Sequence, residues 1–354
     1  MGIIDLLQSA VQQGAADIFL ISNFEPAFRI QSEIIRIGAN VLKPEQVEVL
    51  ICEIYKLAKG RSMEKLLQTG DDDFSFSVPG LGRFRTNAAV QRGTLTVVIR
   101  VVSFTVPNYK ELNIPQKVME LASLVKGLVL IAGAAGNGKT TSLACLIDKI
   151  NSERACHIVT MEDPIEYLHR HKKSIVTQRE IGVDTENYAS GLRAALRQSP
   201  DVILIGEMRD FETMDIAMSA AESGQLVFST LHTTGTANTI DRIVDSFPEN
   251  RQQQIRLQLS MVLQAVVSQQ LIPGKNGELF PVFEILLATP AVRNMIREAK
   301  THQMDSVIFS GSKIGMQSMD TAIFELYREK KISAENAVMY SLHPDEMQQK
   351  INKQ

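Results

Sequence analysis

GAAGNGKTT, residues 133–141, decides how the chain is read: Gly133 and Gly138 bracket four residues, and Lys139 and Thr140 follow at once. Leu128-Val129-Leu130-Ile131 before it reads as a short buried strand. After it, Leu143, Leu146, Ile147 and Ile150 fall at i, i+3, i+4 and i+7, the single apolar stripe of a helix. A G-x-x-x-x-G-K-[ST] bend between a strand and a helix is a phosphate cradle. Its glycines let successive backbone N–H groups turn inward around a β-phosphate, and the helix N-terminus adds the positive end of its dipole. The loop Gly133, Ala134, Ala135, Gly136, Asn137, Gly138, Lys139, Thr140 and Thr141 is therefore expected to hold a nucleoside triphosphate. Lys139 reaches the β- and γ-phosphates as a point charge, and Thr140 offers its hydroxyl to Mg²⁺.

Outward from this loop, apolar strands alternate with helices: 128–132, 157–161, 202–206 and 226–231. That rhythm predicts a mainly parallel sheet covered by helices, an α/β class. Binding a triphosphate is not cleaving it; hydrolysis needs carboxylates that orient water and manage Mg²⁺. Two strand ends supply them. Asp201-Val202-Ile203-Leu204-Ile205-Gly206-Glu207 ends in a glutamate, with Gly206 where an aspartate is usual. His157-Ile158-Val159-Thr160-Met161 runs into Glu162-Asp163-Pro164-Ile165-Glu166, three carboxylates in five residues. A third strand, 226–231, delivers His232 to the same edge, where open α/β sheets bind ligands.

The N-terminal third has another character. Phe74-Ser75-Phe76-Ser77-Val78 and Arg83-Phe84-Arg85-Thr86-Asn87 alternate on either side of Pro79-Gly80-Leu81-Gly82, a hairpin signal, and 95–100 follows as a further strand. Expected divisions are an N-terminal α+β domain at 1–104, a linker with a lead-in helix at 105–126, the nucleotide core at 127–270, and a mainly helical C-terminal region at 271–354, with a helix across Arg251–Gln270. A net charge of −3 gives no bulk reason for nucleic-acid binding, and 6% aromatic content without tryptophan offers no stacking platform for single strands. Cys52, Cys145 and Cys156 show no CxxC spacing and read as reduced core residues of a cytosolic protein. No signal peptide and no run of the ~20 apolar residues that span a bilayer are evident, so membrane contact is expected only through a partner. The basic run His169-Arg170-His171-Lys172-Lys173 reads as a solvated loop or a contact to an acidic partner surface.

Together GAAGNGKTT, TMEDPIEY, PDVILIGEMRD and STLHTT resemble the Walker A, Asp box, Walker B and His box of the secretion and type IV pilus ATPases of the additional-strand catalytic E class. Within that family the chain looks most like the pilus retraction ATPases. It is short, it lacks the cysteine-rich zinc segment of assembly ATPases, TPAVRNMIREAK (289–300) is similar to their AIRNLIRE motif, and GMQSMDTAI (315–323) is similar to their GMQTLD stretch. The resemblance covers residues 3 to about 340. It implies a RecA-like core joined to an N-terminal PAS-like domain, a homohexameric ring that hydrolyses ATP with Mg²⁺, and a cytoplasmic location at the inner face of the membrane, docked on an inner-membrane platform protein. Position by position it implies Glu166 as the water-orienting acid, Glu207 as the Walker B acid and metal partner, and His232 as the surviving His-box histidine. It also implies Arg83, Arg85 and Arg100 as cations that the N-terminal domain brings to the nucleotide through a hinge near 105–115. From composition alone, arginines on a hairpin read as a solvated strand face, and 289–300 as a solvated amphipathic helix. Gln225 replaces the earlier His-box histidine, Ala134, Ala135 and Asn137 depart from the usual GPTGSGKST, and Asp17-Ile18-Phe19 stands for a D-L-H-like motif. Other roles in view are an accessory pilus motor, a pilus assembly or type II secretion ATPase, and, from another class, a nucleotide-dependent scaffold with negligible turnover.

Overall fold

The computed structural model describes residues 2–30, 33–38, 40–59, 61–102 and 105–353, and all counts below refer to these. The chain divides into two compact units: residues up to Thr105 together with Glu166–Leu168, and Val106–Ile165 together with His169–Gln354. The expected domain boundary at 104 falls at residues 103–104, outside the described residues.

The first unit begins with helix α1 (Ile3–Gln12), then strands β1 (Asp17–Ile21), β2 (Ala27–Ile30) and β3 (Glu33–Arg36). Helices α2 (Pro44–Leu57) and α3 (Glu64–Thr69) precede β4 (Asp71–Val78), β5 (Gly82–Gln91) and β6 (Thr94–Val102). Pro44 opens α2 at the first helical turn, where its missing N–H costs nothing. The strands form an antiparallel sheet in the order β3-β2-β1-β6-β5-β4. Alternation decides which side is core. Phe74, Phe76, Phe84, Ala88, Val97 and Ile99 pack with Leu6, Leu7, Ile51 and Ile54 of α1 and α2. Arg85 and Arg100, intervening residues of β5 and β6, pair across the strands on the opposite side of the pleat.

In the second unit, α4 (Gln116–Glu120) leads to β7 (Gly127–Ala132), α5 (Lys139–Glu153), β8 (His157–Glu162), β9 (Ile175–Glu180) and α6 (Tyr188–Ala195). Then follow β10 (Val202–Ile205), α7 (Phe211–Glu222), β11 (Leu226–Leu231), α8 (Thr236–Asp245) and α9 (Glu249–Val262). The unit closes with β12 (Leu263–Pro273), β13 (Leu279–Leu287), α10 (Pro290–Arg297), α11 (Met304–Ser310), α12 (Met319–Arg328), α13 (Ala334–Tyr340) and α14 (Pro344–Asn352). The sheet runs β13-β12-β7-β11-β10-β8-β9 and is parallel except for the β12–β13 pair. Successive residues of its strands enter two separate cores: Leu128, Val159, Ile203 and Val227 face one, and Val129, Ile158, Val202 and Phe228 the other. A sheet buried on both faces needs unbroken apolar runs, which is what these strands are.

One expectation is corrected here. The helix expected across Arg251–Gln270 stops at Val262, and Leu263–Pro273 continues as a strand between β7 and β13. Polar Gln264, Ser268, Gln269 and Gln270 give that segment a helix-like pattern, yet Ser268 and Gln269 are buried. The boundary placed at 270/271 thus falls inside β12, and the C-terminal region opens with the β13 strand. Within 105–126 the expected lead-in helix is α4, and Ile114, Val118, Met119 and Leu121 of this stretch enter the second core. The basic run lies on a loop whose residues Arg170, His171, Lys172 and Lys173 are exposed, as expected of a solvated loop; the Lys172 ammonium lies 2.7 Å from Asp148 of α5, and Asn151 donates to the Arg170 carbonyl at 2.7 Å.

Candidate active site

The parallel sheet brings four motifs to one edge. The loop 133–138 follows β7, His232 follows β11, Glu207 lies two residues past β10, and Glu162 ends β8; β7, β11, β10 and β8 are neighbours in that order. Each strand is held in the interior, so its first residue past the sheet has a fixed position.

Why the loop needs glycine is visible at two positions. Gly133 has φ 146°, and a Cβ there would lie 2.3 Å from the Gln269 carbonyl oxygen. Gly138 has φ 77° and caps α5; L residues other than glycine strain at such values. Strand β12 braces the loop. The Leu271 N–H donates to Asn137 Oδ1 at 3.2 Å, and the Ser142 hydroxyl donates to Gln269 Oε1 at 2.8 Å. Asn137, a departure from the family's usual serine, therefore anchors the loop tip to a neighbouring strand. Lys139 is 7% exposed, and its ammonium donates to the carbonyls of Gly133 at 2.7 Å and Ala134 at 2.9 Å. Thr140 and Thr141 are half-buried in the first turn of α5.

Glu207 and His232 are brought together. Glu207 is 8% exposed; its Oε2 lies 3.2 Å from His232 Nε2 and its Oε1 accepts from Arg209 Nη2 at 2.7 Å. Gly206 is explained by Tyr188, because a Cβ at 206 would sit 2.9 Å from the Tyr188 hydroxyl and 3.3 Å from the Met161 carbonyl oxygen. Burial raises the pKa of that hydroxyl, and the negative charges of Glu207, Asp163 and Glu162 raise it further. Tyr188 thus lies within the field of the acidic cluster. Glu162 is buried, accepting at Oε1 from the Thr160 hydroxyl at 2.7 Å and from Gln178 Nε2 at 3.1 Å.

Other expected site residues belong to the first unit. Glu166 is exposed and groups with the first unit, whereas Glu162 to Ile165 group with the second. Arg83, Arg85 and Arg100 are on β5 and β6 of the first unit. Arg83 Nη1 lies 3.4 Å from the Ser77 hydroxyl, Arg85 is exposed opposite Arg100, and the Arg100 guanidinium pairs with Asp17. Arg209, Tyr188 and the β12 residues Gln269 and Leu271 were not singled out from the sequence. Arg209 carried a weak signal, a cation two places after a strand-end acid; Tyr188 carried none, because its place is set by packing.

Thr140 and Glu207 are hard oxygen donors of the kind Mg²⁺ prefers, and that ion characteristically takes one or two protein ligands plus substrate phosphates. No group of three or more His, Cys, Asp or Glu side chains among the described residues could hold a metal by itself. The donor set therefore fits an ion that arrives with a triphosphate.

The motifs of the C-terminal region are tied into the fold by hydrogen bonds. Arg293 Nη1 donates to the carbonyls of Ser260 at 2.6 Å and Met261 at 2.9 Å, the last turn of α9, so this arginine is a helix cap and not a solvated charge. Val292 and Ile296 of α10 are buried. Gln317 pairs with the Ile285 backbone, and Asp320 accepts from the N–H groups of Leu342 at 2.6 Å and His343 at 3.0 Å. Buried Glu284 accepts from Thr236 N at 2.6 Å and Met319 N at 3.3 Å, the first residues of α8 and α12. No helix among the described residues is long and apolar enough to cross a membrane.

The profile of the family described as type II/IV secretion system protein matches residues 2–276. The type IV pilus retractation ATPase PilT of Pseudomonas aeruginosa is 43% identical over 337 residues, 95% of this chain and 97% of that one. The type IV pilus ATPase PilU of the same organism is 36% identical, covering 95% of this chain and 87% of its own length. A crystal structure of the pilus retraction motor PilT with bound ADP matches with a TM-score of 0.88 at 43% identity over 99% of both chains. The Legionella pneumophila ATPase DotB matches with a TM-score of 0.80 at 26% identity, over 96% of this chain and 95% of that one.

Proposed function

The chain belongs to the type II/IV secretion system protein family, and from that membership we propose that it is the ATP-hydrolysing motor of type IV pilus retraction, the power source of twitching motility. The observation that carries this reading is the shared edge of β7, β11, β10 and β8, which gathers a phosphate loop, a histidine and two strand-end acids in a chain 43% identical to a retraction ATPase.

In the proposed mechanism the loop N–H groups from 133 to 138 and the Lys139 ammonium grip the β- and γ-phosphates of ATP. Thr140 and Glu207 would hold Mg²⁺, which would offset the charge that builds on the phosphoryl oxygens. Glu166 orients the attacking water and accepts its proton. His232, paired with Glu207, reports the state of the γ-phosphate to α8. Arg83, Arg85 and Arg100 supply positive charge to the transferring group; such arginines are worth about 10³–10⁵ in rate where they operate. The working assembly is a homohexameric ring at the inner face of the cytoplasmic membrane, seated on a platform protein of the pilus machine.

The reading is tested by phosphate release from the purified chain and its Lys139→Ala variant. ATP-dependent release that falls at least a hundredfold in the variant is expected. Equal rates in the two proteins, or no ATP uptake by either, end the reading. In the host, loss of the protein should leave cells that carry pili and do not retract them.

A further inference from the structure

The open side of the antiparallel sheet carries an unusual row. Register places Arg29 of β2 opposite Asp17 of β1, Asp17 opposite Arg100 of β6, and Arg100 opposite Arg85 of β5. Three cations and one anion thus cross four adjacent strands. Like charges directly opposite on a sheet destabilise it, and the Arg85–Arg100 pair is such a case. Asp17 is the compensating group. It is 6% exposed, accepts from Arg100 Nε at 3.0 Å, and pairs through its other oxygen with Arg29 Nε at 3.2 Å. Phe19, one pleat further on the same side, holds the Arg29 guanidinium 5.4 Å above its ring. Asp17 is therefore fixed from one flank by an arginine that is itself fixed.

We propose that Asp17 is a positioning residue: it holds the Arg100 side chain so that its guanidinium meets the γ-phosphoryl group in an aligned pose. The inference rests on the proposed role of Arg100 at the nucleotide and deepens it. The bond to Asp17 uses Nε, while 65% of the Arg100 side chain is exposed. A guanidinium carries five donors in a rigid fork, so tethering at Nε leaves Nη1 and Nη2 for a second anion. The tether also removes rotamer freedom from a long side chain before the reaction starts. Donors already aimed at developing charge need no reorganisation at the moment of reaction, and misplacement by about 1 Å costs up to ~10² in rate. Arg85 has no such carboxylate among its register partners, Ser75 and Arg100, which distinguishes the two arginines.

The experiment is steady-state ATP turnover of the assembled full-length protein as wild type, Asp17→Asn, Asp17→Glu, Arg100→Ala and Asp17→Asn/Arg100→Ala, with melting temperature and assembly state recorded for each. Asp17→Asn is expected to lower kcat about tenfold and to move KM for ATP less than threefold. Asp17→Glu should restore part of the loss, and the double variant should be no slower than Arg100→Ala. If Arg100→Ala lowers kcat but Asp17→Asn does not, or if the two losses multiply in the double variant, the positioning role is wrong and Arg100 keeps its own. If Arg100→Ala leaves kcat unchanged, the nucleotide role of Arg100 fails and the inference falls with it. Should Asp17→Asn not assemble, Arg100→Lys carries the test. A lysine ammonium is a point charge on a flexible stem and lacks the rigid fork that Asp17 holds at one end, so a loss close to that of Arg100→Ala is expected, and a wild-type rate overturns the proposal.

Discussion

The two sheets of this molecule leave chemistry different places to stand. The parallel sheet is buried on both faces by two cores, so no polar side chain can work from the middle of a strand without a bonded partner. Its reactive groups stand where strands stop: the loop after β7, Glu162, Glu207 and His232. The antiparallel sheet sets one side of its pleat against α1 and α2. The other side carries Asp17, Arg85 and Arg100 in mid-strand, in register with one another. One design fixes a group by ending a strand beneath it; the other fixes Asp17 and Arg100 by cross-strand ion pairs.

The sharpest way to break the contrast lies between Glu166 and Glu162. Glu166→Gln is expected to keep ATP binding and to lower turnover by about 10²–10⁴, the range for a positioned acid or base. Glu162→Gln, whose carboxylate is engaged by Thr160 and Gln178, is expected to lose far less. Parallel titration of nucleotide binding and phosphate release on both variants decides it. The reverse outcome would return the water-orienting acid to the end of β8.

A smaller effect separates neighbours on β5. Phe84 is fully buried and stacks on Phe76 at 5.3 Å; Phe84→Ala is expected to destabilise the protein by about 3–5 kcal/mol. Arg85→Ala, one residue on and exposed, is expected to change stability by less than ~0.5 kcal/mol while lowering turnover in the assembled enzyme. Denaturant midpoints and rates for the pair check both halves. Unchanged turnover in Arg85→Ala would remove that side chain from the nucleotide.

The smallest effect is a pH dependence in the antiparallel unit. Burial pushes the Asp72 carboxyl up, but hydrogen bonds from Arg61, Tyr55 and Lys65 outweigh it and hold the pKa down at about 2. A carboxylate with a depressed folded pKa contributes stability that is fully present above its unfolded value near 3.8 and is lost as pH falls through about 2. Wild type should exceed Asp72→Asn by roughly 2 kcal/mol at neutral pH, and the gap should close between pH 4 and 2 in urea denaturation curves. A gap that persists at pH 2 would show that Asp72 acts by packing alone.

The same contrast explains what could be read from the sequence. Parallel strands buried on both faces announce themselves as apolar runs, so β7, β8, β10 and β11 and the groups at their ends were legible. The hairpin β4–β5 was legible through its alternation. Strand β12 was not. Its Gln269 and Ser268 are buried because they bond to Ser142 and to the Gly235 N–H, and a polar residue that serves a distant loop looks like a solvent-facing one in a one-dimensional pattern. It also follows α9 without a glycine or proline to mark the change. Arg293 read as surface because a helix cap supplied from another helix leaves no local spacing. Asp17 could be quoted as part of a motif, but its two arginine partners, 12 and 83 positions away, became visible only through strand register.

Glu284 has an engineering consequence. One buried carboxylate closes the first turns of two helices, the one that follows the histidine strand and the one that begins at the end of the GMQSMD segment. Chimaeras between motors of this kind should transplant Thr236, Glu284 and Met319 as a single set. A graft that splits them strands an acid in the interior and loosens two distant motifs at once.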